Sequence, residues 1–352
     1  MNRHAKPSES SDAGPPKSAA AFSPEVFLFF RDALARYSGV FLDHARQRLL
    51  EQSVARRLAA TGDTLAAYQR RIGMPQGAVE LARLAELVLN HETMFFRNGP
   101  HFQALRQQLL PELHARKPAG APLRIWSAGC ATGEEPYSLA IAALETLGQP
   151  LPRPVEILAT DLSEPALQKA RAGLYRGRTL QNIMPEQLDR YFTPIANDYA
   201  VGDSVRSLVR FEQLNLLEPF PAITQGIDII FCQNVTIYFQ LKTCQALIAR
   251  FYECLPTGGL LFLGFSETLW NVFEHFSTRE VAGAYVYSKG HTQSARPLGP
   301  APAPQARRNK TGALAQPPAQ RAPIAAPLAG GRAGHGATEG GDQRGQRRPH
   351  LP

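Results

Sequence analysis

The stretch from Leu123 to Asp161 opens LRIWSAGCATGEEPYSLAIAALE and closes EILATD, and its reading decides the fold. Leu123 to Ala128 reads as a buried strand, followed by a loop holding Gly129 and Gly133 and a helix opening at Pro136. Proline fits a first helical turn, because its missing N–H has no intrahelical partner there. Ser138, Leu139, Ile141, Ala142 and Leu144 continue with helical spacing. A second apolar run, Val155 to Thr160, ends on Asp161. In open α/β sheets ligands lie at the carboxyl ends of strands, where an acid suits the two hydroxyls of a ribose. The glycines are spaced Gly129-x-x-x-Gly133, not G-x-G-x-x-G, and Glu134 and Glu135 follow at once. Two carboxylates at a helix mouth oppose a pyrophosphate and suit a cationic nucleotide ligand such as S-adenosylmethionine (AdoMet). Their simpler role is to complement the helix dipole.

Charge is unevenly placed. The chain carries +8 overall, but residues 288–352 hold +8, residues 1–21 hold +1, and 22–287 sum to −1. The Pro/Gly/Ala/Arg-rich tail of 288–352 and residues 1–21 are expected to be disordered, since neither has an apolar pattern for a core. A near-neutral folded part gives no footprint for a specific nucleic-acid partner. Cys130, Cys232, Cys244 and Cys254 form no C-x-x-C pair and have no histidine at metal spacing. No metal site is expected, and a reducing, cytoplasmic location is. No apolar run approaches the ~18 residues of a membrane span, and the first residues lack the apolar core of a signal peptide.

Upstream, residues 22–90 read as a small all-helical domain of four helices, the first capped by Ser23 with Pro24 in its first turn. On the second helix Arg46 and Arg57 are eleven residues apart and so return to nearly one face. That face is either a solvated surface or a docking strip for an acidic substrate helix. Residues 91–122 form a junction opened by HETMFFRN, where Phe95 and Phe96 sit between polar residues and Arg97. Two readings are open: Thr93 is a cap, the Phe pair packs between domains and Arg97 bonds a backbone carbonyl, or Thr93 and Arg97 stand at the mouth of the ligand pocket, since pockets form at domain junctions. Downstream, Gln168 to Tyr191 reads as helical, Tyr199 to Phe211 as a hairpin around Gly202-Asp203, and Ile227 to Cys232 as a buried strand. A helix over Leu241 to Leu255 and strands at Gly259 to Leu263 and Ala284 to Tyr287 complete the sheet.

Five stretches together resemble one family. HETMFFRN is similar to the NETxFFR signature of the chemotaxis receptor methyltransferases (the CheR family), and WSAGCATGEEPYSLA resembles its AdoMet loop. ATDLSEPALQKARAGLY resembles its ribose-binding segment, IDIIFCQNVTIYF its FCRNVxIYF, and GGLLFLGFSETL its GGxLFLGHSE. The matches run in order from about 22 to 287. The resemblance implies a small helical N-terminal domain and a Rossmann-like, seven-stranded class I methyltransferase domain over 123–287. It also implies a small antiparallel β subdomain inserted at about 192–212. It further implies methyl transfer from AdoMet to glutamate side chains of chemoreceptor cytoplasmic helices, giving γ-methyl esters and S-adenosylhomocysteine; a monomer is expected.

Carried over by motif, the AdoMet-contacting positions are His91, Thr93, Arg97, Glu135, Asp161, Asn215 with Leu216, and Gln233 with Asn234; Gly129 joins them at the glycine turn. Arg97 and Tyr238 fall nearest the transferred methyl group. Three residues depart from the motifs: His91 for Asn, Gln233 for Arg and Phe265 for His. A glutamate carboxylate, with a pKa near 4.3, is already ionised at neutral pH and needs alignment, not a general base. Two other readings stand beside this one. Gln233 and Phe265 motivate a regulatory AdoMet-binding module without turnover, and Asn234-Val-Thr-Ile-Tyr238 faintly echoes the Asn-Pro-Pro-Tyr element of nucleic-acid amino-methyltransferases.

Overall fold

The computed structural model describes residues 22–290. The expectations of disorder for 1–21 and for most of the tail lie outside the described residues. Four helices come first: α1 (Pro24–Ser38), α2 (Gln47–Thr61), α3 (Leu65–Ile72) and α4 (Ala78–Glu86). Ser23 caps α1 by accepting from the Val26 N–H, and Gly39 ends it in the left-handed region. Phe27, Phe30, Leu34, Leu50, Val54, Tyr68 and Leu84 close the core of this bundle. Arg46 belongs to the 3-10 turn His44–Arg46 ahead of α2, capped by Asp43.

The junction folds as α5 (Gly99–Ala104), a π-helical stretch Leu105–Leu109 and α6 (Leu110–Arg116). There follow β1 (Leu123–Ala128), α7 (Glu134–Leu147), β2 (Val155–Asp161), α8 (Glu164–Ala172), β3 (Leu174–Tyr175) and α9 (Pro185–Tyr191). Next are β4 (Phe192–Ile195), β5 (Asp198–Val201), the single turn α10 (Asp203–Arg206), β6 (Val209–Gln213) and β7 (Ile229–Cys232). The chain closes with α11 (Leu241–Cys254), β8 (Leu260–Leu263), β9 (Phe276–Val281) and β10 (Ala284–Lys289).

The main sheet has seven strands in the order β6-β2-β1-β7-β8-β10-β9. The first five are parallel, and β10 runs antiparallel to both β8 and β9. Alternate residues of a strand face opposite sides. Ile125, Ile157, Ile229, Phe231 and Phe262 pack on one side with α7 and the junction helices. Trp126, Leu158, Ile230, Cys232 and Leu261 pack on the other with Phe251 of α11. Buried on both faces, these strands read as continuous apolar runs. Since β2 lies on one side of β1 and β7 on the other, the strand order switches direction at β1. That switch point leaves a crevice at the carboxyl ends of the strands.

Three expectations are corrected. Gln168 to Tyr191 is not one helix: α8 stops at Gly173, left-handed at φ 64°, and the short β3 and a 3-10 turn precede α9. Residues 199–211 do not form a hairpin. The hairpin is β4–β5, while β6 leaves it to pair in parallel with β2 at the main sheet's edge. The small antiparallel sheet therefore takes β3, β5 and β4, within 174–201 instead of 192–212. Alternation alone cannot show which partner a half-buried strand takes. The last strand also runs to Lys289, whose ammonium donates to the carbonyls of Tyr252 and Leu255, so this domain extends past 287.

Candidate active site

A cleft opens where the carboxyl ends of β1, β2 and β7 meet the helical bundle. Its lining includes every residue expected to contact AdoMet (His91, Thr93, Arg97, Gly129, Glu135, Asp161, Asn215, Leu216, Gln233 and Asn234) and also Tyr238. Residues separated by up to 147 positions are thus brought to one wall. The bundle contributes Ser38, Val40, Val88 and Leu89, which motif matching did not single out.

On the β1 side, Gly129 is left-handed at φ 84°, and a Cβ there would lie 2.5 Å from Val235 Cγ2. The two acids at the head of α7 part company. Glu135 lines the cleft and accepts a 2.6 Å hydrogen bond from the Ser127 hydroxyl. Glu134 does not line this cleft: it turns aside, buried, and accepts from the Thr132 hydroxyl at 2.7 Å. Burial pushes the Glu135 carboxyl up to about 7, against the opposing pull of the Ser127 hydroxyl and the Arg97 charge. A cationic ligand group beside it would restore the ionised form. Asp161, at the end of β2, accepts from the backbone N–H of Ala131 at 2.8 Å and of Ser163 at 2.9 Å. Its carboxylate is thereby fixed in place at the cleft.

The β7 side is held by one carboxylate that motif matching gave no role. Glu267 accepts from the backbone N–H groups of Asn234, Val235, Thr236 and Gly264 and from the Thr236 hydroxyl, at 2.6–3.1 Å. A Cβ on Gly264 would sit 2.7 Å from Glu267 Oε2, so only glycine lets the carboxylate approach. The sequence signal was the acid in GFSE, beside a glycine and 33 residues beyond the loop it supports. Tyr238 is gripped from the bundle: Asn90 Nδ2 donates to its hydroxyl at 3.2 Å, and its carbonyl accepts from Phe41 N–H at 2.8 Å. Asn215 Nδ2 donates to the Tyr37 carbonyl at 2.8 Å, another tie between bundle and sheet domain. Arg97 Nη1 donates to the Glu92 carbonyl at 2.9 Å.

Two buried polar atoms at this cleft, His91 Nε2 and Asn234 Oδ1, have no hydrogen-bond partner among the described residues. Buried polar atoms are nearly always paired, so a ligand with complementary groups fits here. Ribose hydroxyls suit the fixed Asp161, and a cationic amine suits Glu135. The residues present fit AdoMet.

The model of the CheR methyltransferase SAM binding domain matches residues 91–284. The chain belongs to the CheR methyltransferase family. A chemotaxis protein methyltransferase of Pseudomonas aeruginosa is 35% identical over 74% of this chain and 96% of its own length. The chemotaxis protein methyltransferase of Escherichia coli is 36% identical over 76% of this chain and 92% of its own. Among solved structures, a TehB-like SAM-dependent methyltransferase from Corynebacterium glutamicum is 15% identical, with a TM-score of 0.31 over 55% of this chain and 98% of that one. This CheR-family chain is an AdoMet-dependent methyltransferase with a mainly parallel seven-stranded sheet. No helix among its described residues is long and apolar enough to cross a membrane.

The two arginines expected to share a docking face do not share one. Arg57 is drawn inward, its side chain mostly buried, and its Nε and Nη2 donate to Glu80 at 2.7 and 3.0 Å. Tyr68 donates to the same carboxylate at 3.1 Å. Glu80 is buried, and an unpaired buried carboxylate is costly, so Arg57 is committed to the bundle's interior. Arg46 lies instead with its guanidinium 4.9 Å from the Tyr238 ring centroid. Helical spacing put the two in phase. Packing against α4 took one of them away.

Proposed function

We propose that the enzyme methylates glutamate side chains on the cytoplasmic helices of chemoreceptors, forming γ-methyl esters, and that it acts in the cytoplasm as a monomer. The observation that carries this reading is that Arg97 and Tyr238 line one cleft, with no histidine–carboxylate hydrogen bond found among the described residues. An amine or hydroxyl substrate needs a base to take its proton, whereas a glutamate carboxylate arrives ionised. AdoMet, when bound, would supply an electrophilic methyl group on a sulfonium, the new C–O bond to the carboxylate replacing the C–S bond, whose electron pair would leave with sulfur.

This chain's residues then have three tasks. Glu135, Asp161 and the orphaned atoms of His91 and Asn234 hold the cofactor. Arg97 holds one oxygen of the substrate carboxylate while the other attacks, and the Tyr238 hydroxyl is a second donor. The bundle wall of Val40, Val88 and Leu89 keeps water from the reacting carboxylate. Names of the relatives support a chemotaxis role, and Arg46 sets a basic group against the Tyr238 ring from the bundle's side.

Incubation with methyl-labelled AdoMet and a receptor cytoplasmic fragment tests the reading. Base-labile label on the receptor is expected. Base-stable label, label on nucleic acid, or binding without transfer would each sink it. Arg97→Lys should lower turnover about a hundredfold, because a point charge does not reproduce a planar fork of donors. Wild-type turnover in that variant would remove Arg97 from the chemistry.

A further inference from the structure

Arg97 stands between two residues with left-handed backbones, Phe96 at φ 49° and Asn98 at φ 63°. Residues with side chains avoid that region unless their surroundings hold them there. Phe96 is held from one direction: its N–H donates to the Ser138 hydroxyl at 2.9 Å, and the Arg106 guanidinium lies 4.7 Å from its ring centroid. Asn98 is held from another. It occupies the N-cap position of α5, yet its side chain makes no cap bond. Its Nδ2 instead donates to Gln233 Oε1 at 2.8 Å, across 135 residues.

Gln233 completes a closed circuit. Its Nε2 lies 2.8 Å from His101 Nδ1, and the His101 backbone N–H donates to the Asn98 carbonyl at 2.9 Å. An amide nitrogen only donates, so Nδ1 accepts and the ring proton sits on Nε2. Burial drives the His101 pKa down to about 4, which keeps that acceptor free across the neutral range. The Phe265 ring, 5.0 Å from the His101 ring, lies against it. Gln233 and Phe265 thus meet on one neutral histidine. The carboxamide at 233 accepts from Asn98 and donates to His101 without setting a charge beside that buried, neutral ring.

We infer that Asn98 and Gln233 are positioning residues for Arg97. The Gln233 carboxamide, seated between the Asn98 side chain and the His101 ring, locks the left-handed turn that aims the guanidinium into the cleft. The inference rests on the role of Arg97 proposed above. It assigns the glutamine that departs from the FCRN motif a structural reason within the reaction.

Asn98→Gly tests it, because glycine keeps the left-handed backbone and removes only the carboxamide. Turnover should fall roughly tenfold, as misplacement of a catalytic group does. The KM for receptor and the AdoMet affinity, read by calorimetric titration, should stay within about twofold of wild type if the cofactor side is untouched. In an Arg97→Lys background the same change should cost nothing more, since a turn that positions an absent group has no further effect. Wild-type turnover in Asn98→Gly, or equal losses in both backgrounds, overturns the positioning role and leaves Arg97 in place. Full turnover in Arg97→Lys alone would instead bring down the reading of Arg97 first, and the positioning role with it.

Discussion

The loop after β1 and the loop after β7 touch at Gly129 and Val235, line the same cleft, and are built in opposite ways. The first uses its own backbone. Gly129 and Cys130 donate to the Thr160 carbonyl, Ala131 donates to Asp161, and glycine supplies the left-handed turns at 129 and 133. Its partners follow from the β1–β2 pairing. The second loop has borrowed support: Glu267 collects its N–H groups, Asn98 and His101 grip Gln233, and Asn90 and Phe41 grip Tyr238. The first loop is a property of its sequence, and the second a property of the assembled fold.

The contrast is broken most severely at Glu267. Glu267→Ala leaves the N–H groups of Asn234, Val235, Thr236 and Gly264 without their acceptor, and buried orphan donors cost about 1–3 kcal/mol each. Denaturant unfolding should show a loss of at least about 3 kcal/mol, together with weakened AdoMet binding. Unchanged stability would mean that the β7 loop holds itself, as the β1 loop does.

Glu135 sharpens the comparison from the first side. Its folded-state pKa, about 7, lies above the ordinary value of 4.5, so the folded protein binds a proton that the unfolded chain releases between those values. Ligand-free stability from this group is therefore full below pH 4.5, falls as pH rises to about 7, and is level above. Relative to Glu135→Gln, the ligand-free wild type should lose on the order of 1–2 kcal/mol between pH 5.5 and 7. AdoMet affinity should rise over the same window in the wild type alone. Parallel pH profiles in the two proteins would show that the cofactor does not use this carboxylate.

The smallest effect lies at the contact itself. Gly129→Ala meets both a left-handed backbone and Val235 Cγ2, so it should destabilise, and adding Val235→Ala should relieve the second part only. A double-mutant cycle by thermal unfolding should give a coupling of about 1 kcal/mol. Strict additivity would mean that the loops do not press on each other.

Much of the cleft could be read in advance because its motifs carry their own geometry. Gly129, Asp161 and the acid pair Glu134 and Glu135 follow from a strand, a turn, a helix and a second strand; the family resemblance points to Glu135 of that pair. Ser127, Glu267, Asn98 and His101 were missed because each acts through a partner elsewhere, and a serine or asparagine in isolation carries no sign of what it will hold. The hairpin misplaced at Gly202 has the same cause. Alternation marks a half-buried strand and is silent about its neighbour.

What the sequence determined by itself is the βαβ unit at 123–161, the capped helices of the bundle and the acid at the end of β2. Local spacing, turn chemistry and caps set these within a few residues. Tertiary structure alone decided that Glu135 faces the cleft while its neighbour Glu134 turns away, and that Arg57 is spent on Glu80 while Arg46 covers Tyr238. It also decided that Gln233 reads Asn98 and His101. The reason is physical: a charge or amide takes the partner that packing brings within about 3 Å, and that partner is set by how layers meet, not by spacing along the chain.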